Sequence, residues 1–189
     1  GTETYLPVKR VEIPETVTIG WSGSFSTVQH LDTIRDVLQE LAKTEKFKLR
    51  VIGTPNYELS GVDVEALQWR SETEIEDLQK IDIGLMPLPD EDWSRGKCGL
   101  KALQYMALGI PTICSPVGVN STIIQDGENG FLADSKEEWV AKLKQLIDST
   151  DLRKRLGEKG RETVESGFSA RSQAPRVQDI FESVVKRSS

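Results

Sequence analysis

Six short runs of apolar and β-branched residues, separated by stretches of helical periodicity, restrict the possible folds more than any other feature of this chain. The runs lie at 17–21, 47–53, 64–67, 81–87, 112–114 and 131–132. Near-continuous apolar character is what a strand shows when both its faces are covered, as in a parallel sheet. Between the first two runs Val28, Leu31, Ile34, Leu38 and Leu41 step by three or four, which predicts one amphipathic helix over 28–41. Ile75 and Leu78 mark a short helix over 72–80, and 121–125 reads as one or two helical turns. Trp139, Val140, Leu143, Leu146 and Ile147 mark a further helix, and 151–166 another, capped at Ser149 to Asp151. Val177, Ile180, Phe181, Val184 and Val185 give a last apolar face over 169–186. Strands alternating with helices predict an α/β fold, a doubly wound parallel sheet of about six strands.

The stretch 97–120, KCGLKALQYMALGIPTICSPVGVN, carries the chemistry. Lys97 and Lys101 are four residues apart and share one face if the helix begins near Cys98. A helix N-terminus carries partial positive charge and unpaired N–H groups, so two lysines there make sense when an anion sits between them. Phosphate is the commonest such anion, although a surface lysine pair also occurs with no ligand at all. Leu100, Leu103, Met106 and Ala107 form the apolar face, Gly109 ends the helix and Pro111 confirms the break. Residues 115–120 then form a loop at the carboxyl end of a strand, where open α/β sheets hold their ligands.

An earlier loop, Ser22-Gly23-Ser24-Phe25-Ser26-Thr27, joins a strand to a helix and offers hydroxyls and backbone N–H groups to an anion. An ordinary turn with a Ser or Thr N-cap reads the same way, and the loop is neither G-x-G-x-x-G nor a Walker motif. Trp69 and Arg70, after the third strand, could line a base pocket by stacking and hydrogen bonding; a tryptophan at a strand end more often serves packing.

Composition removes several classes of function. A net charge of -6 argues against nucleic acid as a general partner. No apolar run approaches the ~20 residues of a transmembrane segment. His30 is the only histidine, and Cys98 and Cys114 lack ligand spacing, so no metal site is expected. Those two cysteines do not make a disulfide framework, which points to a reducing, cytoplasmic compartment. The full-length protein could also sit peripherally at the inner membrane surface. Cys98 beside two lysines could have a lowered pKa, but a small residue at a helix start explains it as well. Residues 1–15, with Pro7 and Pro14 and no period, read as a linker or leader, and 16–189 as one domain.

Gly99-Leu100, Leu103-Gln104, Met106-Ala107, Gly109 and Pro111, followed by Ser115, Val117-Gly118 and then Asp126-Gly127, Asn129-Gly130-Phe131-Leu132, resemble the donor-binding half of a GT-B glycosyltransferase. The similarity is to the large retaining group of the glycosyltransferase family 4 type. It implies a Rossmann-like domain over 16–189 that is one half of a GT-B fold, with a C-terminal helix crossing back onto an N-terminal acceptor-binding domain. It implies transfer of a sugar, with retention, from a nucleotide-diphosphate sugar, without a cofactor or required metal, and an isolated domain that is inactive. Aligned on Gly99 and Gly109, the family's two glutamates fall at Gly96 and Gln104. Gln104 can still exchange hydrogen bonds with a ribose. Gly96 cannot replace a carboxylate, and the preceding loop offers Asp90, Glu91 and Asp92 as its substitutes. The family's arginine and lysine in the first loop fall at Trp21 and Ser26, so Lys97 and Lys101 are expected to neutralise the diphosphate, with Ser24 and Thr27 donating hydrogen bonds. Gly118, Val119 and Asn120 match the loop whose backbone faces the sugar or diphosphate, and the glutamate after it is Thr122 here. These departures leave two alternatives: a nucleotide-sugar-binding module without transfer activity, or a non-catalytic α/β protein-interaction domain.

Overall fold

The computed structural model describes residues 16–91 and 100–167. Readings that fall on 1–15, on 92–99 with Lys97 and Cys98, and on the 169–186 stretch lie outside the described residues. The strands are β1 (Val17–Ser22), β2 (Phe47–Ile52), β3 (Val64–Leu67), β4 (Ile83–Met86), β5 (Thr112–Cys114) and β6 (Phe131–Leu132). The described helices are α1 (Val28–Asp32), α2 (Arg35–Ala42), α3 (Glu74–Gln79), α4 (Leu100–Ala107), α5 (Asn120–Ile123), α6 (Lys136–Asp148) and α7 (Thr150–Ser166). All six strands are parallel, in the order β3-β2-β1-β4-β5-β6. This is the doubly wound α/β arrangement that the alternation predicts, with its change of direction between β1 and β4.

Each face of the sheet has its own core. Alternate residues Val17, Ile19 and Trp21 of β1 pack with Leu31, Val37, Leu38 and Leu41 of α1–α2 and with Trp139, Leu143 and Leu146 of α6. Ile52, Met86 and Cys114 face the other way, onto Leu78 of α3, Leu103, Tyr105 and Met106 of α4, and Val164 of α7. β3 is a sheet edge, tied inward by Arg50 of β2. That side chain is buried and pairs with Glu65 of β3 at 2.6 Å and Asp77 of α3 at 3.1 Å.

The single helix expected over 28–41 is two. The Thr33 hydroxyl donates to the His30 carbonyl at 2.6 Å, and Thr33 N–H and Ile34 N–H bond three residues back, to His30 and Leu31. This tight turn shifts the axis while keeping both apolar faces on one core. The short helix expected over 72–80 spans Glu74–Gln79, and the one or two turns expected over 121–125 span Asn120–Ile123. Ser149 caps α7 as expected, its hydroxyl accepting the Leu152 N–H at 3.1 Å. Gly109 ends α4 with φ of 72°: its N–H meets the Met106 carbonyl and the Ile110 N–H the Tyr105 carbonyl, both at 3.0 Å. The Asp126–Gly130 turn cluster is held by its own side chains. Asn129 accepts from the Gln125 amide at 2.7 Å and donates to Ile123 O and Thr163 Oγ1, while Asp126 accepts the Leu132 amide at 2.9 Å.

Gly20 and Gly84 are register partners at the β1–β4 seam. A Cβ on Gly20 would lie 2.3 Å from Ile81, and one on Gly84 2.6 Å from the Tyr105 ring. The pair therefore forms a slot that these two side chains fill. Gly84→Ala is expected to cost about 1–3 kcal/mol, because the ring it strikes is fully enclosed. Urea unfolding would register this as a lower midpoint with unchanged slope, and an unchanged midpoint would contradict the slot.

Candidate functional site

The carboxyl ends of β1, β4 and β5 define the site. β1 and β4 pair only at Ile19–Ile83 and Gly20–Gly84, so they separate before either reaches its end. The Ser22 N–H is met by the Tyr105 hydroxyl at 3.1 Å. Tyr105 is completely buried, and burial raises its phenol pKa well above the usual range, the Ser22 N–H opposing that rise and Cys114 adding to it. One helical turn before Tyr105, the half-buried Lys101 reaches the same residue, its Nζ donating to Ser22 Oγ at 3.3 Å. The first two turns of α4 thus deliver an ammonium group and a phenol to the last residue of β1.

Ser24 and Thr27 stand beside this point, in the β1–α1 loop. Their hydroxyls lie 3.2 Å apart, and Thr27 Oγ1 accepts the Ser24 N–H at 2.9 Å. Thr27 occupies the N-cap position of α1 without making a capping bond, and the Thr27 and Val28 amides both donate to Ser24 O. The loop is therefore a closed turn whose hydroxyls bond within it, Thr27 Oγ1 to Ser24 O and Ser24 Oγ to Ser26 Oγ, and Phe25 at its tip is 82% exposed. Trp21, at the position expected to replace a family arginine, is buried in the α1–α2 core.

On the β5 side, the Ser115 hydroxyl accepts the Leu88 N–H at 2.9 Å and so joins the loops after β4 and β5. Asn120 is fully buried beneath this loop. Its amide nitrogen donates to Ser115 O at 3.2 Å, while its Oδ1 has no partner among the described residues. Gly118 takes a left-handed φ of 58° and is exposed, with Val119 half-buried next to it. Gln104 is 1% exposed, and neither its Oε1 nor its Nε2 finds a partner among the described residues. Leaving a buried polar group unpaired costs about 1–3 kcal/mol, so such an amide calls for a ligand or water. Trp69 and Arg70 follow the end of β3, and Trp69 is 45% exposed. Asp90 and Glu91 lie in the loop after β4.

The structure thus brings Lys101, Ser24 and Thr27 to the end of β1, and Gly118, Val119 and Asn120 to the end of β5. Ser22 and Tyr105 were not distinguishable in sequence. The one available signal was a large aromatic on α4 facing a strand, β4, that carries a glycine.

A doubly wound parallel sheet with a lysine-bearing helix and small-residue loops at its switch point defines a Rossmann-like α/β domain. The chain belongs to the glycosyl transferases group 1 family, whose model matches residues 16–149. Over 66 residues it is 39% identical to an uncharacterized glycosyltransferase of Methanocaldococcus jannaschii, covering 34% of this chain and 19% of that protein. The C-terminal domain of a glycosyl transferase group 1 family protein from Francisella tularensis shares the fold, with TM-score 0.65 and 22% identity over 88% of this chain and 97% of that one. Anabaena HepE, solved in complex with UDP-glucose, gives TM-score 0.64 and 14% identity over 91% of this chain and 48% of its own. The chain thus spans about half the length of HepE, and its match about a fifth of the archaeal relative. No helix among the described residues is long and apolar enough to cross a membrane.

His30, on α1, is buried, and that burial holds its imidazole below the ordinary value of 6.5, with the Glu91 carboxylate opposing. On acidification the unfolded chain therefore takes up this proton first, and the stability present above about pH 6.5 is lost as the pH falls below it. Between about pH 7.5 and about pH 5.5, urea midpoints should fall more steeply for the wild type than for His30→Gln. Parallel slopes would show that His30 is not the group responsible.

Proposed function

We propose that this domain is the donor-binding half of a glycosyltransferase that moves a sugar from a nucleoside-diphosphate sugar with retention of configuration. The observation that carries this reading is the Lys101 ammonium at the mouth of the β1–β4 crevice, in a chain of the glycosyl transferases group 1 family. The UDP-glucose held by HepE, a neighbour of the same fold, supports the ligand class.

When the bond between the sugar and the diphosphate breaks, negative charge develops on the leaving oxygens. Fixed cations and N–H groups aimed at that charge lower the barrier, because they need no reorganisation as it forms. Lys97 and Lys101 supply the positive charge without a required metal, and the hydroxyls of Ser24 and Thr27 add hydrogen bonds. The unpaired amide of Gln104 both accepts and donates, which suits the vicinal hydroxyls of a ribose. The left-handed turn at Gly118, with Val119 and Asn120, turns its backbone toward the sugar or diphosphate. The acceptor and the other wall of the cleft belong to an N-terminal domain paired with this one in the cytoplasm, so the isolated domain binds donor without turning it over.

A second reading, a nucleotide-sugar-binding module without transfer activity, is favoured by one observation. Trp21 stands in the core at the position of a family arginine, so its side chain cannot touch the diphosphate.

Lys101→Ala should weaken binding of the recognised nucleoside diphosphate by about tenfold or more, the worth of a charge-assisted hydrogen bond. Calorimetry against UDP, GDP and ADP measures it. In the two-domain enzyme, Lys97→Ala and Lys101→Ala should each lower turnover, and unchanged rates in both would sink the assignment. Tight nucleotide-sugar binding by that protein with no transfer to any acceptor would establish the second reading.

A further inference from the structure

We propose that Tyr105 is a positioning residue for the anion site: by holding the Ser22 amide where β1 leaves β4, it fixes the Ser22 side chain against which Lys101 is aimed. The inference rests on the reading of Lys101 as the anion-binding cation.

Three observations converge on it. The β1–β4 ladder stops at Gly20–Gly84, so the sheet itself gives the end of β1 no support on that side. The Tyr105 ring occupies the slot left by Gly84, and its hydroxyl stands 3.1 Å from the Ser22 N–H, replacing the missing ladder partner. Lys101, four residues earlier on α4, meets the hydroxyl of that same serine at 3.3 Å. An ammonium on a flexible four-carbon stem contributes most when it is held where the anion arrives, because less side-chain freedom is lost on binding. Tyr105 and Ser22 give Lys101 such a hold from within the core, at a point where an aliphatic residue would fill the slot but leave a buried N–H unpaired.

Tyr105→Phe keeps the ring in its slot and removes only the hydroxyl. The affinity of the chain for UDP, GDP, ADP and inorganic pyrophosphate would be measured calorimetrically in the wild type, Tyr105→Phe, Lys101→Met and the double variant. Tyr105→Phe should weaken binding of the best diphosphate about threefold to tenfold in the wild-type background and have no effect once Lys101 is Met. Ser22→Ala, which removes the side-chain contact and leaves the amide, should show the same loss and the same dependence on Lys101. Amide hydrogen exchange at Ser22 should quicken in Tyr105→Phe. If the Tyr105→Phe and Lys101→Met losses simply add, Tyr105 is a packing residue and the proposal fails while the anion site stands. If Lys101→Met leaves every affinity unchanged, or the wild type binds none of the four, the anion reading fails and takes the proposal with it.

Discussion

The contact on which the rest of this domain depends is the filling of the Gly20–Gly84 slot. Parallel strands with side chains on both faces hold helices at a distance set by those side chains. Removing two of them, side by side at the seam, lets Ile81 and an entire tyrosine ring approach the backbone of the sheet. The seam is also where the winding of the fold reverses, so this close packing lies directly beneath the place where the strands diverge. A crevice needs strands that separate, and separated strands leave unpaired amides. Here a side chain of α4 closes that deficit from below.

The same arrangement explains how charge can be relocated within a fold. The first loop carries no basic residue: Trp21 belongs to the core, and Ser24 and Thr27 bond each other in a closed turn. Positive charge comes instead from the first turn of α4, across the crevice. Basic residues at a helix start oppose the helix dipole, and the Ser22 hydroxyl that accepts from Lys101 offsets part of that cost.

Much of this was legible in sequence. Strands covered on both sides are apolar throughout, and the six runs matched the six strands to within two residues at either end. The lysine at 101 was legible because basic residues are unusual at a helix start. The break in the 28–41 helix was not, since a threonine bonding back to its own turn leaves the apolar period undisturbed. Periodicity also treats Trp21 simply as the third inward residue of β1, and the core confirms that arithmetic. Ser22 and Tyr105 were illegible for a different reason. Each is ordinary in its own segment, and only the pairing of β1 with β4 makes them neighbours. The buried amides of Gln104 and Asn120 were named as candidates by their place in a motif, while the lack of partners at both polar atoms of Gln104 and at Asn120 Oδ1, among the described residues, is a property of the packed interior alone.

α7 stands in an unusual relation to everything before it. Its Leu156 belongs to the core on one face of the sheet and its Val164 to the core on the other. Arg153 donates to Leu146 O and Ile147 O at the end of α6, while Arg161 donates to Ala107 O at the end of α4. Two helices on opposite layers thus complete their last turns only with the help of a third. Peeling α7 away would strip carbonyl partners from both layers and open both cores together. The two sides of the sheet therefore share α7, and whatever loosens that helix reaches both layers at once.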